Sequence, residues 1–231
     1  YLAAALFFAV FIALYAFFPQ NIVGRIAVAV TLLFSFVTPL LTFALWVITL
    51  PIEKQISKYY INDAKKILAN RPDMTVIGVT GSYGKTTTKF ILTRILSEKF
   101  NVVCTPHSFN TPMGVVRTIR EMIPPQTEIF VCEMGAKRKG DIAEVCDIAD
   151  PDLGVITSVG PQHLDTFGNI ETVVSTKFEL ADAVAKVSGN CLVNGECEEI
   201  KNRIGDRKDV IPFGEGSKYF RPDGFMVAVE S

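Results

Sequence analysis

Residues 76–88 read Val-Ile-Gly-Val-Thr-Gly-Ser-Tyr-Gly-Lys-Thr-Thr-Thr, and no other stretch limits the fold as much. The β-branched apolar run asks for a buried strand. Gly81 and Gly84 ask for a tight turn, and residues 85–99 continue with helical spacing. A strand that feeds a helix through a glycine turn is the first half of a crossover unit, which needs a parallel partner strand. The same alternation continues downstream. Strands are expected over residues 74–79, 101–105, 128–132, 153–158, 191–194 and 210–213, with a last apolar run over 225–229. Helices are expected over 85–99, 113–122, 141–149, 170–187 and 196–204. The fold class is therefore α/β, a mostly parallel sheet flanked by helices and joined by right-handed crossovers.

A different material precedes it. The first 52 residues hold one charged side chain, Arg25. Residues 2–18 and 26–52 are apolar enough, and the second long enough, to cross a hydrocarbon core of about 30 Å. They read as a two-span transmembrane hairpin over residues 1–52, turning through 19–25, with Pro39 a tolerable kink. A hairpin buried in a soluble protein is the alternative. Lys54, Lys58, Lys65, Lys66 and Arg71 follow the second span, so positive charge places the rest of the chain on the cytoplasmic side of a cell membrane. Residues 53–73 carry Ile56, Tyr59, Tyr60, Ile67 and Leu68 at helical spacing. They form an amphipathic helix and linker that lies at the lipid interface or packs on the next domain. The chain starts at Tyr1 and closes just after an apolar run, and we read it as a piece of a longer protein whose domain over 74–231 is truncated on its C-terminal side.

Composition excludes other classes. With 23 Lys plus Arg against 24 Asp plus Glu there is no electrostatic case for nucleic acid. Five cysteines without CxxC spacing read as core residues of a reducing compartment rather than as zinc ligands.

The glycine turn also has a chemistry. Backbone amides of Gly81, Ser82, Tyr83 and Gly84, with the helix N-terminus at Lys85, Thr86 and Thr87, can point at phosphate oxygens. Lys85 reaches the terminal phosphates and the Thr86 hydroxyl joins a Mg2+ shell, so the ligand is ATP. The stretch departs from the general phosphate-loop pattern at Val79, where that pattern has glycine; the form here is TGxxGKTT. Downstream, the strand over 128–132 delivers Glu133 to the edge where a carboxylate can hold Mg2+. The strand over 153–158 leads to His163, whose ring could take a divalent ion. Taken alone, the acid is also compatible with a solvated strand end, and the histidine with no metal at all.

In order, TGSYGKTTTK, FNTPMGVV, EMGAKRKGDIAEV and HLDTFGNIETVVSTKFEL resemble the Mur ligase family. They are most similar to its branch that adds D-alanyl-D-alanine to a UDP-N-acetylmuramoyl tripeptide. The resemblance covers residues 74–213. It implies that Lys85 and Thr86 bind phosphate and Mg2+, that Glu133 is a metal ligand and that His163 serves a second metal. It implies that Asn110 and Thr111 lie on the substrate side and that Lys177 carries a carbamate helping to hold that second metal. Asn194 matches the nucleotide-side segment, whose other residues are not retained. The implied reaction is ATP-dependent amide formation through an acyl phosphate, with a UDP-linked muramoyl peptide and D-alanyl-D-alanine as substrates; the apolar hairpin adds membrane lipid as a further partner, and protein partners are unassigned. On this reading the segment alone does not ligate. The usual domain that holds the UDP-sugar is not seen before residue 74. A Mur-like ligase with another acceptor and a membrane-anchored nucleotide-binding regulator are the competing readings. Two spans are too few for a transport path.

Overall fold

The computed structural model describes residues 22–161 and 164–214; the first expected span, residues 19–21 and the run over 225–229 lie outside the described residues. The chain divides between Ile56 and Ser57 into two units.

Helix α1 runs unbroken over Ile22–Ala69 with Pro39 and Pro51 inside it. Residues 22–25, expected in a turn, are helical, and the helix continues through residue 52 to Ala69. In the first unit α1 exposes Leu33, Phe34, Phe36, Leu40, Phe43 and Trp46. The hydroxyls of Ser35, Thr38, Thr42 and Thr49 donate to carbonyls within the helix, at Thr31, Phe34, Pro39 and Trp46. They therefore leave the outer surface apolar. Among the described residues α1 is long and apolar enough to cross a membrane, with mean hydropathy 2.0 in its most apolar window.

The second unit opens with the last turns of α1, which pack on the core. Ala64 is fully buried, with Tyr60, Ile61, Ile67 and Leu68 against the same cluster. Arg120 donates to Asp63 at 2.7 Å and lies 4.3 Å over the Tyr60 ring, and Lys65 pairs with Asp147 at 2.6 Å. Of the two expectations for this segment, packing on the next domain is what the structure shows.

Six strands follow: β1 (Thr75–Thr80), β2 (Val102–Cys104), β3 (Ile129–Glu133), β4 (Leu153–Ile156), β5 (Cys191–Asn194) and β6 (Val210–Phe213). They form one sheet in the order β2-β3-β1-β4-β5-β6, every pair parallel. The helices are α2 (Lys85–Leu96), α3 (Pro112–Met122), α4 (Asp141–Ala149), the short α5 (Leu164–Phe167), α6 (Ile170–Lys186) and α7 (Glu198–Ile204). All but α5 match the sequence reading to within a few residues.

Handedness assigns the helices to faces. The step from β1 to β2 moves one way across the sheet and every later step moves the other way, so right-handed crossovers put α2 on one face and α3, α4, α6 and α7 on the other. The core divides accordingly. Phe130, Cys132 and Met134 of the β3 segment join Val115, Ile119, Val145, Phe178 and Leu180. Ile77, Val79, Val131 and Val155 meet Leu92 and Leu96 of α2.

Two glycines bring α6 close to the sheet. Gly78 and Gly154 are register partners. A Cβ on Gly78 would stand 2.7 Å from Leu180 Cδ1, and one on Gly154 would stand 3.1 Å from Leu180 Cγ and 2.8 Å from Cys191 Sγ. Leu180 thus occupies a notch that any larger residue would fill. Gly154→Ala should destabilise the domain by about 1–3 kcal/mol through overpacking. Adding Cys191→Ala, which removes the nearest atom, should make the pair less costly than the sum of the two single changes. Urea unfolding of the four proteins checks this.

Candidate functional site

Strand β1 lies between β3 and β4, at the point where the crossovers change direction, and its carboxyl end runs into residues 81–84. Open α/β sheets bind ligands at such a switch point. Gly81 has φ 151° and Gly84 φ 79°. At Gly81 a Cβ would fall 2.0 Å from Thr157 Oγ1, so no side chain fits; Gly84 sits in the left-handed region as the N-cap of α2.

The turn is stitched to the segment that leaves β4. The Ser82 amide donates to the Ser158 carbonyl at 2.7 Å. The buried Ser82 hydroxyl donates to the Gly160 carbonyl at 3.2 Å and accepts from the Gly160 amide at 3.1 Å. Thr157 and Ser158 hydroxyls donate to the Tyr83 carbonyl. The Ser82 side chain thus braces the turn from behind, and the Tyr83 side chain is exposed. Thr86 is half-buried and Thr87 exposed in the first turn of α2. Lys85 folds over the turn, its Nζ donating to the carbonyls of Gly81 at 2.9 Å and Ser82 at 3.1 Å. Partial burial lowers its pKa, and the charge of Glu133 works against that.

Glu133 ends β3 opposite Val79 of β1 and is 1% exposed. Its amide donates to Thr105 Oγ1, and Oε1 accepts from Asn110 Nδ2 at 3.1 Å. Oε2 lies 3.0 Å from Lys89 Nζ, off a hydrogen-bonding direction, and accepts no hydrogen bond. A buried carboxylate oxygen with a free lone pair, beside a phosphate turn and a threonine, suits Mg2+, which takes one or two carboxylates together with substrate phosphates. Among the described residues no three His, Cys, Asp or Glu side chains cluster to hold a metal by themselves.

Lys177 in α6 is 3% exposed. Burial, then the nearby charge of Lys85, pushes its pKa down to about 8, against the opposing pull of Glu179 and Asp141. The structure therefore brings together Lys85, Glu133, Asn110 and Lys177 around the end of β1. Thr111 caps α3 by accepting from the Gly114 amide at 3.4 Å. Asn194 lies on the same sheet edge but two strands away, its side chain turned to the Glu196 amide at 2.9 Å. His163 lies outside the described residues. Sequence reasoning assigned nothing to Lys89, Thr105 or the bracing pair Thr157 and Ser158. For Lys89 a signal existed, since it follows Lys85 by four residues and so shares its helix face. A cavity of about 780 Å³ opens at the opposite, amino edge of the sheet, beside Met74, Asp150, Asp152 and Lys186, away from this chemistry.

What the carboxyl edge of this sheet is built to hold is a short chain of phosphates, and by that criterion the domain is of the P-loop nucleotide-binding class. The model of the Mur ligase middle domain matches residues 79–228, and the chain belongs to that family. It is 39% identical over 127 residues to the UDP-N-acetylmuramoyl-tripeptide--D-alanyl-D-alanine ligase of Mycobacterium tuberculosis, covering 53% of this chain and 24% of that one. To the enzyme of the same name from Bacillus subtilis it is 38% identical over 136 residues, 59% of this chain and 28% of that one. The crystal structure of MurF ligase from Thermotoga maritima in complex with ADP superposes with a TM-score of 0.64 at 36% identity, over 70% of this chain and 37% of that one. The match thus spans about a quarter of the length of these curated relatives.

Lys177 gives a test of the electrostatics. Its pKa is lower folded than unfolded, so the cost of burying it is fully present below about pH 8 and fades as pH rises toward its ordinary value of 10.5. Lys177→Met should therefore stabilise the domain by up to about 3 kcal/mol near neutrality. The gain should shrink steadily above pH 8, as read from denaturant midpoints across that range.

Proposed function

We propose that this chain is the ATP-binding domain of a ligase that joins D-alanyl-D-alanine to a UDP-N-acetylmuramoyl tripeptide, a step in peptidoglycan precursor synthesis. The observation that carries the reading is the grouping of Lys85, Glu133 and Lys177 at one strand end, in a chain 36% identical to a MurF ligase with bound ADP. A nucleotide sensor needs the phosphate turn, but has no evident use for a buried lysine close enough to feel the charge of Lys85.

In this reading the tripeptide carboxylate attacks the γ-phosphorus of ATP. The bond from that phosphorus to the β,γ-bridging oxygen breaks, and ADP leaves an acyl phosphate. The dipeptide amine then attacks the acyl carbon, loses a proton and expels phosphate as the amide forms. The turn amides and Lys85 hold the phosphates and offset the negative charge that shifts toward ADP. Mg2+, when bound at Thr86 and Glu133, neutralises charge on the phosphate oxygens. Asn110 fixes the Glu133 carboxylate through Oε1. Lys177, kept partly neutral by burial, is suited to capture CO2, forming an N–C bond and releasing a proton to leave a carbamate. With His163, that group would hold a second divalent ion.

The exposed apolar length of α1 supports membrane attachment, and the lysines that follow it support a cytoplasmic position for the ATP domain. Such an arrangement would keep the ligase close to where precursors pass to lipid carriers. Lipid bilayers are then the further partner.

Phosphate release by the full-length protein should need ATP, Mg2+, the tripeptide and the dipeptide together, and the product should gain the mass of the dipeptide less water. Lys85→Ala should lower kcat by at least about a hundredfold, the scale of losing one electrostatic contact to the transition state. Release that ignores the dipeptide would sink the substrate assignment and point to another acceptor. Separately, 13C-labelled CO2 should give a carbamate carbon resonance that Lys177→Met abolishes; the same spectrum from both proteins would remove the carbamate.

A further inference from the structure

The phosphate turn has one lysine that can reach a ligand and, one helical turn later, a second that cannot. Lys89 is fully buried. Its Nζ stands 3.0 Å from Glu133 Oε2 and donates to the His107 carbonyl at 2.5 Å, with the Phe90 ring centroid 4.5 Å away. Its charge is committed inside the protein, against the equally buried Glu133. His107 itself has φ 43°, a left-handed conformation uncommon outside glycine, and it begins the loop that ends in Asn110 and Thr111. Lys89 therefore joins three elements: the helix behind the phosphate turn, the acid at the end of β3, and the loop that carries Asn110.

We propose that Lys89 is a positioning residue, which fixes the Glu133 carboxylate in the orientation that receives the nucleotide's divalent cation and holds the His107–Asn110 loop beside it. The inference rests on the nucleotide-site reading above and adds a residue to it. The chemistry follows from the donor geometry. Asn110 takes Oε1 by a hydrogen bond. Lys89 sits 3.0 Å from Oε2, which accepts no hydrogen bond, so the carboxylate is held at both oxygens while Oε2 keeps its lone pairs for a cation. An apolar side chain at residue 89 would leave the buried acid held at Oε1 alone, free to rotate about that one contact. A buried ion pair is a weak source of stability, because desolvation consumes most of the attraction. Orientation is the better account of why a fully buried lysine sits here.

The test uses the full-length protein, with ADP and Mg2+ as probes, and reads the ADP dissociation constant in EDTA and across a Mg2+ series. In the natural protein Mg2+ should tighten ADP binding. Lys89→Met should raise the Mg2+ midpoint by about 10–100-fold, the usual cost of losing a residue that orients a metal ligand, while ADP affinity in EDTA stays the same. Lys89→Arg keeps the charge and should give a smaller rise; if Lys89→Met fails to fold, Lys89→Arg decides. A folded variant with the natural Mg2+ midpoint overturns the proposal, because a merely structural lysine would move the melting temperature and not that midpoint. If the natural protein itself shows no Mg2+-linked ADP binding, the nucleotide-site reading fails and takes this inference with it.

Discussion

Backbone hydrogen bonds hold β1 to β3 on one side and β4 on the other, in registers that set Val79 against Glu133 and Thr80 against Ile156. From those two pairings the rest of the site follows. The strand end that becomes the glycine turn is level with the acid on one neighbour and with the Thr157–Gly160 segment on the other, so the turn is braced and the acid presented without any long-range adjustment. A shift of either register by one residue would also send every side chain of the shifted strand to the opposite face and its different core. The buried apolar pattern of the sheet thereby guards the chemistry at its edge.

The electrostatics of that edge are unfavourable until something anionic arrives. Two lysines, Lys85 and Lys177, are drawn partly out of water, and each lowers its affinity for a proton in response. Glu133 offers some compensation to Lys85 but is itself engaged with Lys89 and Asn110. The domain as a whole is close to neutral, so long-range attraction contributes little. On the function proposed here, selectivity for phosphates would come from fixed amides and desolvated cations at short range, where the dielectric is low and each contact counts for more.

Most of the fold was legible in the sequence, because it is written in local signals. The alternation of apolar runs and helical segments located all six strands of the sheet, and the change in charge density after residue 52 located the apolar helix. Strand order was not legible, since nothing local in β2 says that β3 will come between it and β1. The site was half legible. Lys85 and Glu133 announce themselves by position after a strand, and Lys177 was found only through resemblance, since a lysine at helical spacing otherwise reads as a surface residue. Lys89 was passed over although its spacing from Lys85 places both on one helix face, because lysine is so seldom fully buried that the spacing alone reads as a solvated face. The hydrogen bonds of Ser82 were not legible either. Its position in the turn suggested phosphate contact through its amide, whereas that amide and the hydroxyl are both spent on the neighbouring segment.

The glycine notch under α6 also has a bearing on the chemistry. Leu180 rests in the gap left by Gly78 and Gly154, and Lys177 precedes it by three residues, one turn back on the same face of the helix. The missing side chains of two strand residues therefore act as a gauge block for the lysine. They set how deeply the helix seats, and with it how closely this buried lysine is held to the sheet. Helix packing distances vary with the residues between them by an ångström or two, and a site needs its groups placed to within about half of one. Two hydrogen atoms where methyl groups could stand thus fix the seat of the helix that carries this lysine.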